Sequence, residues 1–593
     1  MTLKHIYKLH FFLFLMVNGL ALVSGATLAA DEDTDRDPVL ESVPDASPQR
    51  GLKKKRPTES DKPEPRLDVA PQGPDAGRKV LPDVSPPSGA SNQLSVMPTV
   101  NVNTINLQGN TVIPPKELAA IIEPYEHKSQ SFEALNGLRH KLSQYYLQKG
   151  YVNSGVIIPD QKIENGIVTF QAIEGELSSI ELQGLQRLDA SYVKSRIRAV
   201  VSGPLNVNDL SEALKMLNQN PLIAQINARL LPGDKLGQSQ LKVAVKEDDA
   251  FYYSIGADNY LSPSAGAERL TINAGHGNVF GVGDTIDAEV DLTEGLSGLG
   301  LLYSIPFSGK GSSFNVFGDY RDYIVVEEPF DAIDIESHST KFGFAIEHPF
   351  INRLNETLTG SVGFEVKHSE STLSGVPFSF SLGEIDGKSD VSVVDLTLGW
   401  VRRYPDQVYS LQGSLRFGVN ALDATDNQGD LPDGEFSLVR GQFQFAHLLG
   451  LWRSQVLFRT GFQLANDPLL SLEKYAVGGR YTVRGYRENQ YVRDSGATVT
   501  LEWRIPLLAP TNSQQLNLVP FADYGSSWDE NEELTGTEKA SISSVGIGLL
   551  YDSSENLHME LYWGAALDDV PEPSDSNIQD DGIHFQVVYH SRN

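Results

Sequence analysis

The chain has 593 residues, a formal net charge of −29 and no cysteine. A chain of this length is expected to contain more than one structural unit. The excess of carboxylates argues against nucleic-acid binding, because a phosphate backbone attracts Lys and Arg. The absence of cysteine excludes thiolate metal sites, thiol nucleophiles and disulfides.

Residues 1–30 have the order of a secretory signal peptide. Lys4 and Lys8 precede a 13-residue, largely apolar run at 11–23, which is followed by the small residues SGATLAA and an acidic stretch. Cleavage is expected within 26–30. The alternative, a membrane anchor, needs roughly 18 or more apolar residues. No other run in the sequence approaches that length, so a mature membrane protein would have to be a closed β-barrel.

Residues 31–97 are rich in proline and in charges of both signs, and they contain few large apolar side chains. Such a segment cannot bury enough apolar surface to offset the entropy of ordering, so we predict a disordered linker. The basic run Lys53–Arg56 is either a patch for anionic lipid or a partner, or a solvated charge cluster.

Residues 98–249 contain one order of elements twice, as units 98–175 and 176–249. Each unit is predicted to be β-α-α-β-β. The apolar spacing predicts helices over 115–122 and from about 132 to 146 in the first unit, and over 190–200 and 207–218 in the second.

From 250 to 593 the pattern becomes all-β, with sixteen segments of alternating hydrophobicity. In ATVTLEWRIP, one face carries Leu501 and Trp503 while the other carries Glu502 and Arg504. Alternation over about ten residues, an even strand number and aromatic residues at strand ends are typical of a transmembrane barrel. A soluble sandwich or propeller would place Glu502 and Arg504 in a packed core.

Three stretches carry a family resemblance. MLNQNPLIAQINARLLPGDKLGQSQLKVAVKE resembles the second POTRA domain of two-partner secretion transporters (TpsB type), and QYYLQKGYVNSGVIIPDQKIENGIVTFQAIEGEL resembles the end of their first. QLANDPLLSLEKYAVGGRYTVRGYRENQYVRDSGATVTLEWRIPL resembles the stretch with their signature loop, in the wider superfamily of the BamA-type insertases. The resemblance implies a mainly β fold, with a 16-stranded antiparallel transmembrane β-barrel preceded by two periplasmic α+β POTRA domains.

The resemblance also implies export, without ATP, of a large unfolded exoprotein such as a haemolysin or adhesin, through an outer-membrane barrel. The POTRA units would capture the substrate by β-augmentation. Candidate groove residues are Leu135, Leu142 and Tyr146, for which ordinary helix core is the alternative. The expected partners are the exoprotein, outer-membrane lipid and, during biogenesis, the assembly machinery; a monomer is expected.

By resemblance, GGRYTVRGY belongs to an inward loop near 471–496, with Val483, Arg484, Gly485 and Tyr486 as its motif. An arginine in a narrow lumen needs a carboxylate partner. The family pattern offers Asp523, which shares a strand face with Phe521 and Gly525. Gly485 would allow a tight turn, and Tyr486 would pack on the inner wall. The alternative is a solvated surface loop.

No catalytic residues, metal site or cofactor are expected, because the sequence contains no HExxH, GxSxG or Walker motif and its twelve histidines are scattered. Members of the resembled family often begin with a helix that plugs the barrel, whereas 31–97 shows no convincing amphipathic helix, so the presence of a plug stays open. Two other functions stay open: an insertase of outer-membrane barrels, which typically carries more POTRA units, and a passive diffusion porin, which would need neither these units nor the arginine loop.

Overall fold

The computed structural model describes residues 66–69, 99–508, 514–553, 556–571 and 575–591. The predicted signal peptide, the Lys53–Arg56 run and most of the predicted linker lie outside the described residues. Among the helices in the described part of the chain, none is long and apolar enough to cross a membrane.

The first α+β unit is built around a long amphipathic helix. Its elements are β2 (Val100–Val102), β3 (Thr104–Gln108), α1 (Pro115–Ile122), β4 (Lys128–Gln130), α2 (Phe132–Gln148), β5 (Gly155–Ile157) and β6 (Ile167–Ile173). Strand β6 is central, parallel to β3 and antiparallel to β5. The Ser131 hydroxyl caps α2 by accepting a hydrogen bond from the Ala134 N–H, which satisfies an otherwise free donor. The helix then buries one apolar side against the sheet.

The second α+β unit repeats this plan. Its elements are β7 (Glu176–Gln183), α3 (Ala190–Val200), α4 (Val207–Asn218), β8 (Ile223–Pro232) and β9 (Gln238–Glu247). Strand β9 lies between β7 and β8. The predicted helices of both units therefore occur where the apolar spacing placed them.

A segment of the predicted linker extends this second sheet. Strand β1 (Arg66–Val69) pairs parallel with the outer edge of β8, with Arg66 opposite Asn227 and Val69 opposite Leu230. The prediction of disorder is therefore wrong for 66–69. An open sheet edge can order a short segment through backbone hydrogen bonds, without the large apolar burial that the linker composition lacks.

The remaining chain forms a closed antiparallel barrel of sixteen long strands. These are β10 (Phe251–Asp258), β11 (Arg269–His276), β12 (Thr285–Leu292), β13 (Leu296–Pro306), β14 (Ser313–Ile324), β15 (Ile335–Asn352), β16 (Glu356–Leu373), β18 (Lys388–Arg403), β19 (Gln407–Val419), β20 (Ser437–Leu448), β21 (Gln455–Ala465), β24 (Ser495–Pro506), β25 (Gln514–Trp528), β26 (Ala540–Ser553), β27 (Leu557–Ala566) and β28 (Ile583–His590). A two-residue strand, β17 (Val376–Pro377), pairs with the end of β16. Antiparallel pairing of β10 with β28 closes the barrel.

The period-two alternation of the strands separates a lipid-facing surface from the lumen. On β24, Leu501 is 49% exposed whereas Glu502 is fully buried. Because successive strand residues point to opposite faces, apolar side chains face outward and charged ones meet inside. The barrel prediction from alternation is confirmed.

The second α+β unit contacts barrel turns at the end where β10 begins. The Asp189 N–H donates to the Gly281 carbonyl at 2.7 Å, and the Leu354 N–H donates to a Glu212 carboxylate oxygen at 3.4 Å. Gly281 and Leu354 lie in the turns before β12 and before β16. The second α+β unit is therefore attached at the barrel end that carries these turns.

Candidate functional site: the inward loop and its wall

The connection between β21 and β24, the eleventh and twelfth long strands, forms the candidate site. It spans 466–494 and contains a 3-10 turn, Ser471–Glu473, and a small hairpin of β22 (Tyr475–Val477) and β23 (Tyr491–Arg493). The loop in the structure differs from the predicted bounds of 471–496 at both ends. It begins earlier because β21 ends at Ala465, and it ends earlier because Ser495 already pairs with Trp528.

Arg484 is buried at the tip of this loop, with a side chain only 1% exposed. Its Nε and Nη2 donate to the two carboxylate oxygens of Asp523 at 2.7 and 2.8 Å. Its Nη1 donates to Glu502 Oε1 at 2.7 Å, and its backbone N–H donates to Asp523 Oδ2 at 3.1 Å. The guanidinium fork matches a carboxylate in bidentate geometry, which is the strong form of such a pair.

Aromatic rings complete the surroundings of this arginine. The guanidinium carbon lies 3.6 Å from the ring centroid of Phe521 and 4.8 Å from that of Tyr562. A cation over an aromatic face gains further attraction where water is excluded. Arg484 therefore has both carboxylate and ring partners on the barrel wall.

Two glycines let the backbone of the loop approach the wall. Gly485 has φ +94°, and a Cβ there would lie 2.9 Å from the Gly564 carbonyl oxygen. On the wall, a Cβ at Gly525 would lie 2.7 Å from a methyl carbon of Val483. Any larger residue at these positions would push the loop tip away from the strands.

Tyr486 and Val483 pack the motif on the inner wall, and both are buried. The Tyr486 hydroxyl lies 2.9 Å from the Ser543 carbonyl oxygen, to which it donates, and it accepts from the Asp568 N–H at 3.0 Å. The structure thus brings together Val483, Arg484, Gly485 and Tyr486 of the loop with Phe521, Asp523 and Gly525 of β25.

Two further loop residues belong to this arrangement and were not singled out from the sequence. Arg480 donates from Nη2 to Glu560 Oε2 at 2.7 Å, and from its backbone N–H to Glu488 Oε1 at 2.6 Å. Glu473 is fully buried against cationic side chains of the wall. The sequence signal for Arg480 was its place in GGRYTVRGY, while Glu473 had no local signal.

The groove prediction for the first α+β unit is wrong. Leu135, Leu142 and Tyr146 are all fully buried in the core between α2 and the sheet, so a substrate cannot touch them in this structure. Burial and the nearby Glu174 carboxylate raise the pKa of Tyr146, whose hydroxyl donates to Asn110 at 2.7 Å. The periodic apolar residues of an amphipathic helix turn toward the sheet rather than outward.

A shallow surface groove of about 400 Å³ does lie beside α1 and α2. It is lined by Ala120, Ile121, Pro124, Tyr125, Gln130 and Lys141. The groove is therefore lined by exposed and partly exposed residues other than the three predicted ones.

Comparisons with known proteins agree on one family. The family model described as haemolysin secretion/activation protein ShlB/FhaC/HecB matches residues 237–550, and the ShlB-type POTRA domain model matches 100–175. The heme/hemopexin transporter protein HuxB of Haemophilus influenzae (strain 86-028NP) is 24% identical over 498 residues, covering 80% of this chain and 84% of HuxB. The hemolysin transporter protein HpmB of Proteus mirabilis is 23% identical, covering 67% of this chain and 70% of HpmB.

A solved structure has the same fold. CdiB from Escherichia coli matches with a TM-score of 0.67 and 17% identity, covering 86% of this chain and 93% of that one. The sixteen-stranded barrel, the POTRA match and the family model together show that the chain belongs to the haemolysin secretion/activation protein ShlB/FhaC/HecB family of outer-membrane transporters.

Proposed function

We propose that the protein exports a large, unfolded exoprotein from the periplasm to the cell surface through the barrel, without ATP. The relatives HpmB and HuxB are named as transporters of hemolysin and of heme/hemopexin. The name of HpmB supports an exoprotein of the haemolysin kind as the partner; an adhesin is proposed only from the family resemblance. We also propose that the transporter acts as a monomer in outer-membrane lipid, after insertion by the assembly machinery, and that it has no catalytic role.

The observation that carries this proposal is the position of the 466–494 loop. It lies inside the barrel and is held there by ion pairs, chiefly those of Arg484 with Asp523 and Glu502. Ion pairs and hydrogen bonds can be exchanged for others, so a loop held in this way can have two arrangements. One arrangement fills the lumen, and in the other the loop would leave room for an extended polypeptide.

Substrate capture would use strand addition on the α+β units. The pairing of β1 with β8 supports this step, because an extended segment already occupies that sheet edge in parallel register. Backbone hydrogen bonds at an edge accept many sequences, which suits a long unfolded substrate. An arriving segment would take the place of β1 or pair with another edge.

The energy for export would come from folding of the exoprotein outside the cell. The sequence has no GxxxxGK[ST] loop for a nucleotide phosphate. A segment that has folded outside cannot return through a barrel that admits only extended chain. Progressive folding would therefore make the movement directional.

The test is export in an outer-membrane host of the large β-helical exoprotein encoded nearest the gene. The parent is compared with Arg484→Ala and with Arg353→Ala, an exposed arginine in the turn between β15 and β16 that serves as the matched control. Export should depend on the transporter, fall with Arg484→Ala and persist with Arg353→Ala, while all three barrels assemble.

Two other results would overturn the proposal. An exoprotein that stays periplasmic, together with loss of other outer-membrane barrels on removal of this protein, would indicate an insertase. Unimpaired delivery without the transporter, together with steady diffusion of small solutes through it, would indicate a porin.

A further inference from the structure

Glu473 occupies a second buried ionic site, separate from that of Arg484. Its Oε1 lies 2.7 Å from Lys367 Nζ and 3.2 Å from Arg416 Nη2, and its Oε2 lies 3.4 Å from Arg440 Nη2. Its backbone carbonyl accepts from Arg440 Nη2 at 3.1 Å and from Gln463 Nε2 at 2.9 Å. Both the side chain and the main chain of this loop residue are therefore bound to the wall.

The two buried ionic sites lie on different arcs of the barrel. The cations around Glu473 come from β16, β19 and β20, whereas the carboxylates around Arg484 come from β24 and β25. The loop thus presents a negative charge to one arc and a positive charge to the other. This opposite pairing orients the loop across the lumen, since exchanging the two contacts would bring like charges together.

The wall does not neutralise the Glu473 site by itself. Glu365 contacts Lys367 at 3.3 Å and also pairs with Arg416, and Asp395 lies 3.4 Å from Arg416. Among the wall residues of these direct ion pairs, three cations therefore face two carboxylates, and Glu473 supplies the third negative charge. Removing a partner from a buried charge cluster is strongly unfavourable, because the remaining charge stays away from water.

We infer that Glu473 is a positioning residue, a second ionic anchor that holds the first part of the loop in the lumen, and that full opening requires release of both Glu473 and Arg484. The inference rests on the proposed release of the loop during export. It concerns the position of the loop itself, so it can be measured without any exported protein.

The chain has no cysteine, so one introduced cysteine gives a unique label. Val492 in β23 is 45% exposed and suits this purpose. In full-length protein carrying Val492→Cys with a spin label, Glu473→Gln removes the charge and keeps the shape. We expect a more mobile spectrum and, in planar bilayers, a rise of about tenfold or more in the fraction of time the channel is open. The double variant Glu473→Gln/Arg484→Ala should give a more mobile spectrum and a larger open fraction than either single variant.

Matched variants separate anchoring from general damage. Glu473→Asp keeps the charge and should restore a nearly immobile label. Glu365→Gln neutralises a carboxylate of the same cluster that belongs to the wall, and it should leave the label much less mobile than Glu473→Gln does. If Glu473→Gln fails to assemble, Arg440→Gln takes its place. It removes a wall guanidinium that contacts Glu473, and it should likewise raise the mobility of the label.

Three results would overturn the inference. The first is label mobility and conductance like the parent's in Glu473→Gln, while Arg484→Ala changes both. The second is an equal gain in label mobility in Glu365→Gln and Glu473→Gln. The third is a double variant whose open fraction is no larger than that of Arg484→Ala alone. A failure of export in the parent would instead count against the proposed function and leave the label measurements meaningful.

Discussion

Arg484 and Asp523 meet in two parallel hydrogen bonds of 2.7 and 2.8 Å although they are 39 residues apart in the chain. Arg484 comes from a loop and Asp523 from a barrel strand. Because the same guanidinium also donates to Glu502, it joins two neighbouring strands, β24 and β25, through one loop residue. One loop side chain is thereby paired with carboxylates of two wall strands.

The geometry of the guanidinium fork predicts that charge alone is insufficient. Arg484→Lys keeps the positive charge but cannot donate to both Asp523 oxygens and to Glu502 in a planar fork. We expect export to fall to a level between those of the parent and Arg484→Ala. Breaking a buried pair costs about 3–5 kcal/mol, and lysine should recover part of that. The measurement is the released fraction of exoprotein at equal amounts of assembled barrel; parent-like export in the lysine variant would show that the fork is unnecessary.

The close approach of Gly485 to β27 predicts a steric defect. Gly485→Ala combines an unfavourable φ of +94° with a Cβ 2.9 Å from the Gly564 carbonyl oxygen, so the loop tip should be displaced and export should fall as in Arg484→Ala. Gly375→Ala is the matched control, because Gly375 has φ +75° but nothing within 4 Å of the added Cβ. Equal defects in both variants would mean that backbone strain, rather than contact with the wall, causes the loss.

Glu247 predicts a pH-dependent contact between β9 and the segment before α3. Its carboxylate accepts from the backbone N–H groups of Gln186 at 2.7 Å and Leu188 at 3.0 Å. Burial raises the pKa of Glu247, but these backbone hydrogen bonds and the charge of Arg187 lower it by more. The pKa of Glu247 therefore lies below the ordinary value of 4.5. A lowered folded pKa means that this stabilisation is complete above pH 4.5 and is lost as the pH falls through the lowered value.

Amide hydrogen exchange over 186–188 in the full-length protein tests this. Glu247→Gln should exchange faster than the parent at pH 7, and the difference should shrink below pH 4.5. Glu181→Gln is the control, because Glu181 makes an exposed pair with Lys242 at 3.2 Å, and exposed pairs contribute little. A difference that stays constant over the whole pH range would contradict the assignment to Glu247 ionisation.

Strand β1 predicts a protected sheet edge in the second α+β unit. Leu67→Pro together with Asp68→Pro removes two consecutive N–H groups, and one of them must face β8 because successive groups in a strand point in opposite directions. We expect faster hydrogen exchange over Asn227–Leu230, the residues opposite β1, with little change in the pairing of β7 with β9. Unchanged exchange over Asn227–Leu230 would show that β1 does not protect this edge.

The sequence by itself determined the local features of the protein. Period-two alternation in segments such as ATVTLEWRIP predicted the barrel strands and their two faces, and the three-to-four spacing of apolar residues predicted helices at 115–122, 190–200 and 207–218. These patterns depend on residues close together in the chain. They are therefore readable before any long-range contact is known.

Only the tertiary structure decided which charges meet Glu473, whereas the family resemblance had already suggested Asp523 as the partner of Arg484. Glu473 lies 106 residues from Lys367 and 57 from Arg416, and no local pattern links them. The same holds for the linker segment 66–69 on β8 and for the inward-facing α2 residues that the sequence offered as groove candidates. Local periodicity determines which face a side chain occupies, whereas strand register, barrel closure and the path of a loop determine what stands opposite that face.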